Sequence, residues 1–170
     1  MGIVTKKGDK GKTSICQGTI GKDHQIIQVL GSLDEANCFL GLAISFTDDE
    51  QIKESLKEIQ KDLFLTGSIV YGANLVFPKE RLDILEYSTK KIEKKLPFLS
   101  HFILPGGTKE AGFLHVARAA VRKVERDLVL LKKKKKIDET VLAYFNRLSD
   151  YLFLLARLTN YQNKIKEIEK

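Results

Sequence analysis

Arg118, Arg122, Glu125 and Arg126 are spaced by four, three and one residues. On a helix turning about 100° per residue they share one edge, with His115 one turn earlier. Beside that edge, Leu114, Ala117, Val121, Val124, Leu128 and Leu131 line up as an apolar face. Two readings fit this pattern. Arginines interrupted by a carboxylate can form a solvated salt-bridge face. They can also form an oligophosphate clamp, in which guanidinium forks grip phosphate oxygens and the carboxylate orients them or holds a magnesium-bound water.

The last long periodic segment carries a second set. Val141, Tyr144, Phe145, Leu148, Leu152, Leu155 and Leu158 form its core face, while Asn146, Asp150, Phe153, Arg157 and Tyr161 occupy the other side. Aromatics among Asn, Asp and Arg are expected to meet a ligand or another subunit rather than water alone; scattered surface aromatics are the alternative. Near the start, TKKGDKGKTS (residues 5–14) approaches a phosphate-binding loop. However, Lys6 stands where the rule requires the first glycine, and neither a buried strand before it nor a helix after it completes that motif. Its glycines, with Lys, Thr and Ser, can still wrap backbone N–H groups around phosphates; a flexible basic tail is the alternative. Two separated phosphate-friendly elements point to a nucleotide and leave the second ligand open.

Helical periodicity supplies the elements that must position these groups. Residues 1–31, rich in glycine and lysine, read as an irregular arm without strands. A first helix is expected from Leu30 or Ser32 to Phe46, with Ser32 and Glu35 as a capping box. A second starts at Asp48 or Asp49, carrying Ile52, Leu56, Ile59, Leu63 and Val70 inward. A third spans Lys79 to Leu96 before Pro97. After SHFILPGGT, Thr108 caps a fourth helix ending near Lys132, and Asp138 caps a fifth running to about Lys166. The expectation is an all-α, antiparallel five-helix bundle, folded as one domain over 1–170, with residues 1–31 as the arm and 32–166 as the bundle.

Composition excludes several classes. Cys16 and Cys38 lie far apart and outside any CxxC, and the three histidines show no HxxxH spacing, so a zinc site or disulfide framework is not expected. A metal arriving with a nucleotide is compatible with this. Five of the charges behind the net +7 are one run, Lys132 to Lys136, expected to be a solvated turn. The spread of basic and aromatic residues that nucleic-acid binding needs is missing. No 18-residue apolar run is expected to cross a membrane. The start MGIVTKKGDKG lacks a secretory apolar region, and Lys6 breaks the myristoylation pattern. Cytoplasmic location is the default expectation.

Four blocks carry a resemblance: TKKGDKGKTS, GSLDEANCFLGLA (31–43), FILPGGTKEAGFLHVARAAVRKVER (102–126) and NRLSDYLFLLAR (146–157). Together, in this order, they resemble the PduO-type ATP:cob(I)alamin adenosyltransferases. The resemblance implies a five-helix bundle that assembles as a homotrimer with active sites between subunits. It implies that Thr5, Lys6, Gly8, Thr13, Ser14 and Lys22 hold ATP from the arm, and that Arg122, Lys123, Glu125, Arg126 and Asn146 grip it from the helices. Mg²⁺ would accompany the triphosphate, with Glu125 as its candidate protein contact. Phe102 would lie against the corrin and keep the lower axial ligand away. Asp34 and Arg118 would bridge subunits beside the cobalamin, and Asp150 would help hold that site. Phe102, Arg122, Asp34 and Arg118 are thus the residues expected to carry the reaction. A flavoprotein reductase and a cobalamin-dependent acceptor enzyme are the implied partners, with neither nucleic acid nor membrane among them.

This chain departs from the family pattern in places. Lys123 stands where many members have a second consecutive arginine, which keeps the charge and loses the fork. The arm is one residue shorter before Lys22, and the chain ends soon after the fifth helix, where relatives carry a cap over the corrin. A helical nucleotide-binding regulatory protein without transferase activity is the rival reading. A basic scaffold using the lysine run is a third, distinguished by steep salt dependence.

Overall fold

The computed structural model describes residues 4, 6 and 8–170. Five helices account for most of it: α1 (Gln25–Phe46), α2 (Glu50–Tyr71), α3 (Lys79–Glu93), α4 (Lys109–Lys132) and α5 (Glu139–Gln162). Before them stand two short strands, β1 (Lys12–Ile15) and β2 (Gly18–Gly21), paired antiparallel with Thr13 opposite Ile20 and Ser14 opposite Thr19. The arm is therefore a hairpin at this point, not the strandless segment expected. The polar Thr and Ser had masked the strand alternation, and the Cys16-Gln17-Gly18 turn, with Gly18 at φ 128°, lets the chain reverse.

The α4 helix is central, packing on α1 and α5; α2 packs on α1, and α3 on α5. Its apolar stripe, from Leu114 through Val121 and Val124 to Leu128, is fully buried, and it meets Leu40, Leu56, Phe145, Leu148 and Leu152 in one core. Burying each such side chain contributes about 1.5–3 kcal/mol. Polar contacts fix α2 against α5: the Tyr144 hydroxyl donates to Asp62 at 2.7 Å, and Ser55 and Tyr151 share a 2.6 Å hydrogen bond.

Two N-caps, Thr108 and Asp138, stand where the sequence put them, and Asp49, one of the two expected starts of the second helix, is its cap. Asp49 accepts from Gln51 and Ile52, Thr108 from Ala111, and Asp138 from Thr140. The first helix differs. It begins at Gln25, with His24 Nδ1 accepting from the Ile26 N–H, and Ser32 lies inside it, donating to Asp127 on α4 at 2.5 Å. Burial of Ile26 and Val29 extends the helix about two turns ahead of the capping-box pattern. At the other ends, α3 stops at Glu93 and closes in i→i−3 turns before Pro97, and α5 stops at Gln162. By length and composition α1 is also apolar enough to cross a membrane, with a mean hydropathy of 1.3, contrary to expectation. The cause is its position: one face packs on α2 and α4, and apolar Leu42 and Phe46 occupy the face left outward.

Candidate active site

Two clefts open side by side along α4 and α5. The smaller, of about 480 Å³, is lined by Arg122, Glu125, Arg126, Val129, Leu130 and Asn146. Asn146 donates its Nδ2 to Glu125 at 3.1 Å, so α5 orients the carboxylate of α4. Arginines around one braced carboxylate suit an oligophosphate. This is the edge that the α4 spacing had outlined.

The larger cleft, of about 800 Å³, brings together Phe102, Arg118, Arg122, Asp150 and Phe153. Phe102 stands at its mouth with 85 % of its surface exposed. Asp150 accepts from Arg147 at 2.6 Å. The Arg118 guanidinium lies over the Phe153 ring, 5.8 Å from its centroid, and its Nε is buried without a hydrogen-bond partner among the described residues. Burial, with the Arg122 charge next in order, pushes the Arg118 pKa down. Two arginines on one wall with no carboxylate paired to either among the described residues make a site that attracts a negative group. Arg122 lines both clefts and forms their common wall.

His115, which the sequence put on the arginine edge, turns inward and is buried behind Phe153, ring centroids 6.0 Å apart. Burial and the neighbouring Arg118 lower its pKa to about 4. Arg157 also departs from the outward side assigned to it. It is 5 % exposed and paired to Glu167 at 3.0 Å. Asn146, Asp150 and Tyr161 do face outward, and Phe153 is half-buried. The resemblance groups Lys123 with the nucleotide positions. One residue on from Arg122 it is rotated about 100°, and it pairs instead with Glu35 on α1 at 2.5 Å.

The arm residues gather elsewhere. Lys22 donates its backbone N–H to Gly11 O at 2.9 Å, and its Nζ comes so near Gly8 that a Cβ there would lie 2.9 Å away. Thr13 and Ser14 stand on β1, Lys6 is exposed just before it, and Thr5 lies outside the described residues. The hairpin is tied to the end of α2 by the Cys16 N–H on Tyr71 O, and none of Lys6, Gly8, Thr13, Ser14 or Lys22 lines either α4–α5 cleft. Asp34 likewise lies apart, exposed on α1 at a third, apolar cleft of about 530 Å³ between α1 and α2. It makes no ion pair among the described residues and does not share a cleft with Arg118.

A helical bundle whose small arginine-lined cleft adjoins a larger one, lined by apolar side chains as well as arginines, can hold an anionic ligand beside a broad, partly apolar one. Comparison with known proteins makes this specific. Residues 3–159 match the cobalamin adenosyltransferase family, and the chain belongs to it. It is 38 % identical to the corrinoid adenosyltransferase of Bacillus subtilis, over 99 % of this chain and 92 % of that protein. With the cobalamin adenosyltransferase of Cupriavidus metallidurans the identity is 36 %, over 93 % of this chain and 88 % of that one. A phenylalanine-to-alanine variant of the PduO-type ATP:corrinoid adenosyltransferase from Lactobacillus reuteri, complexed with cobalamin and ATP, superposes with a TM-score of 0.93 at 32 % identity, covering 99 % of both chains. The five-helix fold is thus that of its family.

Proposed function

We propose that this chain transfers the 5′-deoxyadenosyl group of ATP to the cobalt of cob(I)alamin and releases triphosphate. The observation that carries this reading is the position of Arg122, which is the shared wall of the phosphate-suited cleft and of the cleft holding Phe102. A group anchored there touches the departing triphosphate while the corrin lies alongside.

In the reaction the cobalt(I) lone pair attacks C5′ as the bond from C5′ to the triphosphate oxygen breaks, and the bonding electrons leave with the triphosphate. Cobalt(I) is strongly nucleophilic, so no general base is required. The protein's contribution is to hold cobalt and C5′ in line and to stabilise charge growing on the leaving group. Arg122 and Arg126, with Glu125 braced by Asn146, perform the second task. Phe102, projecting at the mouth, displaces the lower axial ligand of the corrin. Four-coordinate cobalt(II) then accepts an electron from a reduced flavoprotein more readily, and a cobalamin-dependent acceptor enzyme takes up the product. Asp150 and Arg118 flank the corrin.

No cluster of three or more metal-ligating side chains occurs among the described residues. Magnesium would therefore be held chiefly by the triphosphate, with Glu125 as the protein carboxylate in reach, and it would add positive charge at the leaving group.

The separation of the arm from the α4–α5 clefts, and of Asp34 from Arg118, supports a site completed between subunits of a homotrimer. There the hairpin of one protomer would cover ATP held by its neighbour, and Asp34 would reach the unpaired Arg118 across the interface. The outward apolar face of α1 suits such burial. The cytoplasm is the proposed location.

The test is anaerobic mixing with ATP, Mg²⁺ and chemically reduced cob(I)alamin, followed by visible spectroscopy. Conversion to a light-sensitive adenosylcobalamin spectrum with triphosphate release is the expected result. ATP binding without conversion would favour the regulatory reading.

A further inference from the structure

Phe102 sits in a segment, Pro97 to Thr108, with no helix or strand of its own. Its ring is largely exposed, so packing does not set its direction; the backbone must. Among the described residues, every long-range hydrogen bond that fixes that backbone comes from the end of α5 or from the residues after it. Asn160, 2 % exposed, donates Nδ2 to Gly106 O at 2.9 Å and accepts from the Thr108 N–H at 3.0 Å. Gly107 lies against it at φ 109°, where a Cβ would fall 2.0 Å from Asn160 Oδ1. Arg157 donates Nη2 to Pro97 O at 3.3 Å and Nε to both Glu167 oxygens, at 3.0 and 3.3 Å.

The chain reverses after α5 through Lys164, at φ 55°, and returns to pair directly with the Phe102 segment. Leu104 donates its N–H to Ile168 O and Lys170 donates its N–H to Phe102 O, both at 2.9 Å, and Ile103 and Glu169 form an antiparallel bridge. Glu167 is the partner through which buried Arg157 holds this return in place.

We propose that residues 163–170 form a strap that aims Phe102 into the corrin cleft, with the Arg157–Glu167 ion pair as its latch. Glu167 and Arg157 are positioning residues, acting on the reaction through Phe102. This inference rests on the reading that Phe102 faces the corrin. The latch is well suited to its role because the charge of Arg157 is buried, so releasing Glu167 leaves it unpaired and drives rearrangement of the strap.

The test compares the full-length wild type with Glu167→Gln, Lys170→Pro, Phe102→Ala and the Phe102→Ala, Glu167→Gln double variant. Lys170→Pro removes the N–H given to Phe102 O, along with the lysine charge. Three readouts are taken: amide exchange at Leu104, turnover from cob(II)alamin with a supplied reductant against turnover from cob(I)alamin, and ATP affinity. Both strap variants should raise Leu104 exchange about tenfold or more. They should slow turnover from cob(II)alamin about tenfold and leave ATP affinity within about twofold, a shift too small to signal a lost contact. The double variant should lose no more than Phe102→Ala alone. Wild-type behaviour of both strap variants, with Phe102→Ala impaired, overturns the strap and leaves the Phe102 reading standing. An unimpaired Phe102→Ala removes both. Equal losses in thermal stability, ATP affinity and both turnovers would make the strap merely structural and also overturn the inference.

Discussion

Asn146 on α5 reaches across to Glu125 on α4, Nδ2 to Oε1 at 3.1 Å, and so braces the single carboxylate of the phosphate-suited cleft, which among the described residues pairs with neither of its two arginines. Without that brace Glu125 would be free to pair with Arg122 or Arg126 and compete with the nucleotide. Asn146→Ala is therefore expected to weaken ATP binding about tenfold or more, as the loss of a hydrogen bond to a charged group predicts. Titration calorimetry checks this, with thermal unfolding as the control. A weaker protein with unchanged affinity would reduce Asn146 to a tie between helices.

Arg122 and Arg126 should separate in kinetics. Arg122 borders both clefts, so Arg122→Lys, which keeps charge and loses the fork, is expected to lower kcat about 10–100-fold. Arg126 borders only the smaller cleft, and Arg126→Lys should act mainly on KM for ATP. Steady-state assays with saturating cob(I)alamin distinguish the two. Identical profiles would remove the special position of Arg122.

His115 makes stability fall in acid. In the unfolded chain its imidazole protonates near the ordinary value of about 6.5, whereas in the native protein burial and Arg118 hold that step down to about 4. The unfolded state therefore binds the extra proton throughout this window, and the native state loses ground as pH drops from about 6.5 toward 4. Between pH 7.5 and 5 this group should remove about 2 kcal/mol. Urea unfolding at the two pH values measures it, and His115→Gln should flatten that part of the dependence. An equally steep profile in the variant would assign the loss to other groups.

Lys135 is expected to matter within the lysine run, and its neighbours are not. Its Nζ donates to Val70 O at 2.7 Å and to Ile69 O at 3.4 Å, satisfying carbonyls at the end of α2 beside Gly72, whose φ of 115° reverses the chain. Lys135→Ala should cost about 1 kcal/mol of stability and leave adenosyl transfer unchanged below its unfolding temperature. Lys133→Ala and Lys134→Ala, both exposed, should change neither. Salt-sensitive binding of nucleic acid that disappears on removing the run would contradict this.

Much of the bundle was readable from residue order, because helices are encoded within a few positions. The steps of three and four in Ile52, Leu56, Ile59 and Leu63 and the caps Asp49, Thr108 and Asp138 each rest on hydrogen bonds to atoms at most four residues away. The phosphate-suited edge was readable for the same reason, since Arg122, Glu125, Arg126 and Asn146 lie on two helices whose phases the apolar stripes fix. Ser32 illustrates the limit. Its capping pattern with Glu35 is a local signal, but its hydroxyl serves Asp127, 95 residues along the chain.

By itself, then, the sequence determined the helices, their inward faces and the chemistry offered along α4 and α5, and its four motif blocks pointed to the family. The tertiary structure decided what local pattern does not carry. It closed the arm into a hairpin and turned Lys123 onto Glu35. It buried His115 and Arg157, separated Asp34 from Arg118 within the chain, and laid the C-terminal strap on the Phe102 segment. Each of these depends on which surfaces meet when the helices pack, and the partners involved, such as Asn160 and Thr108 at 52 residues apart, carry no spacing that marks them as neighbours.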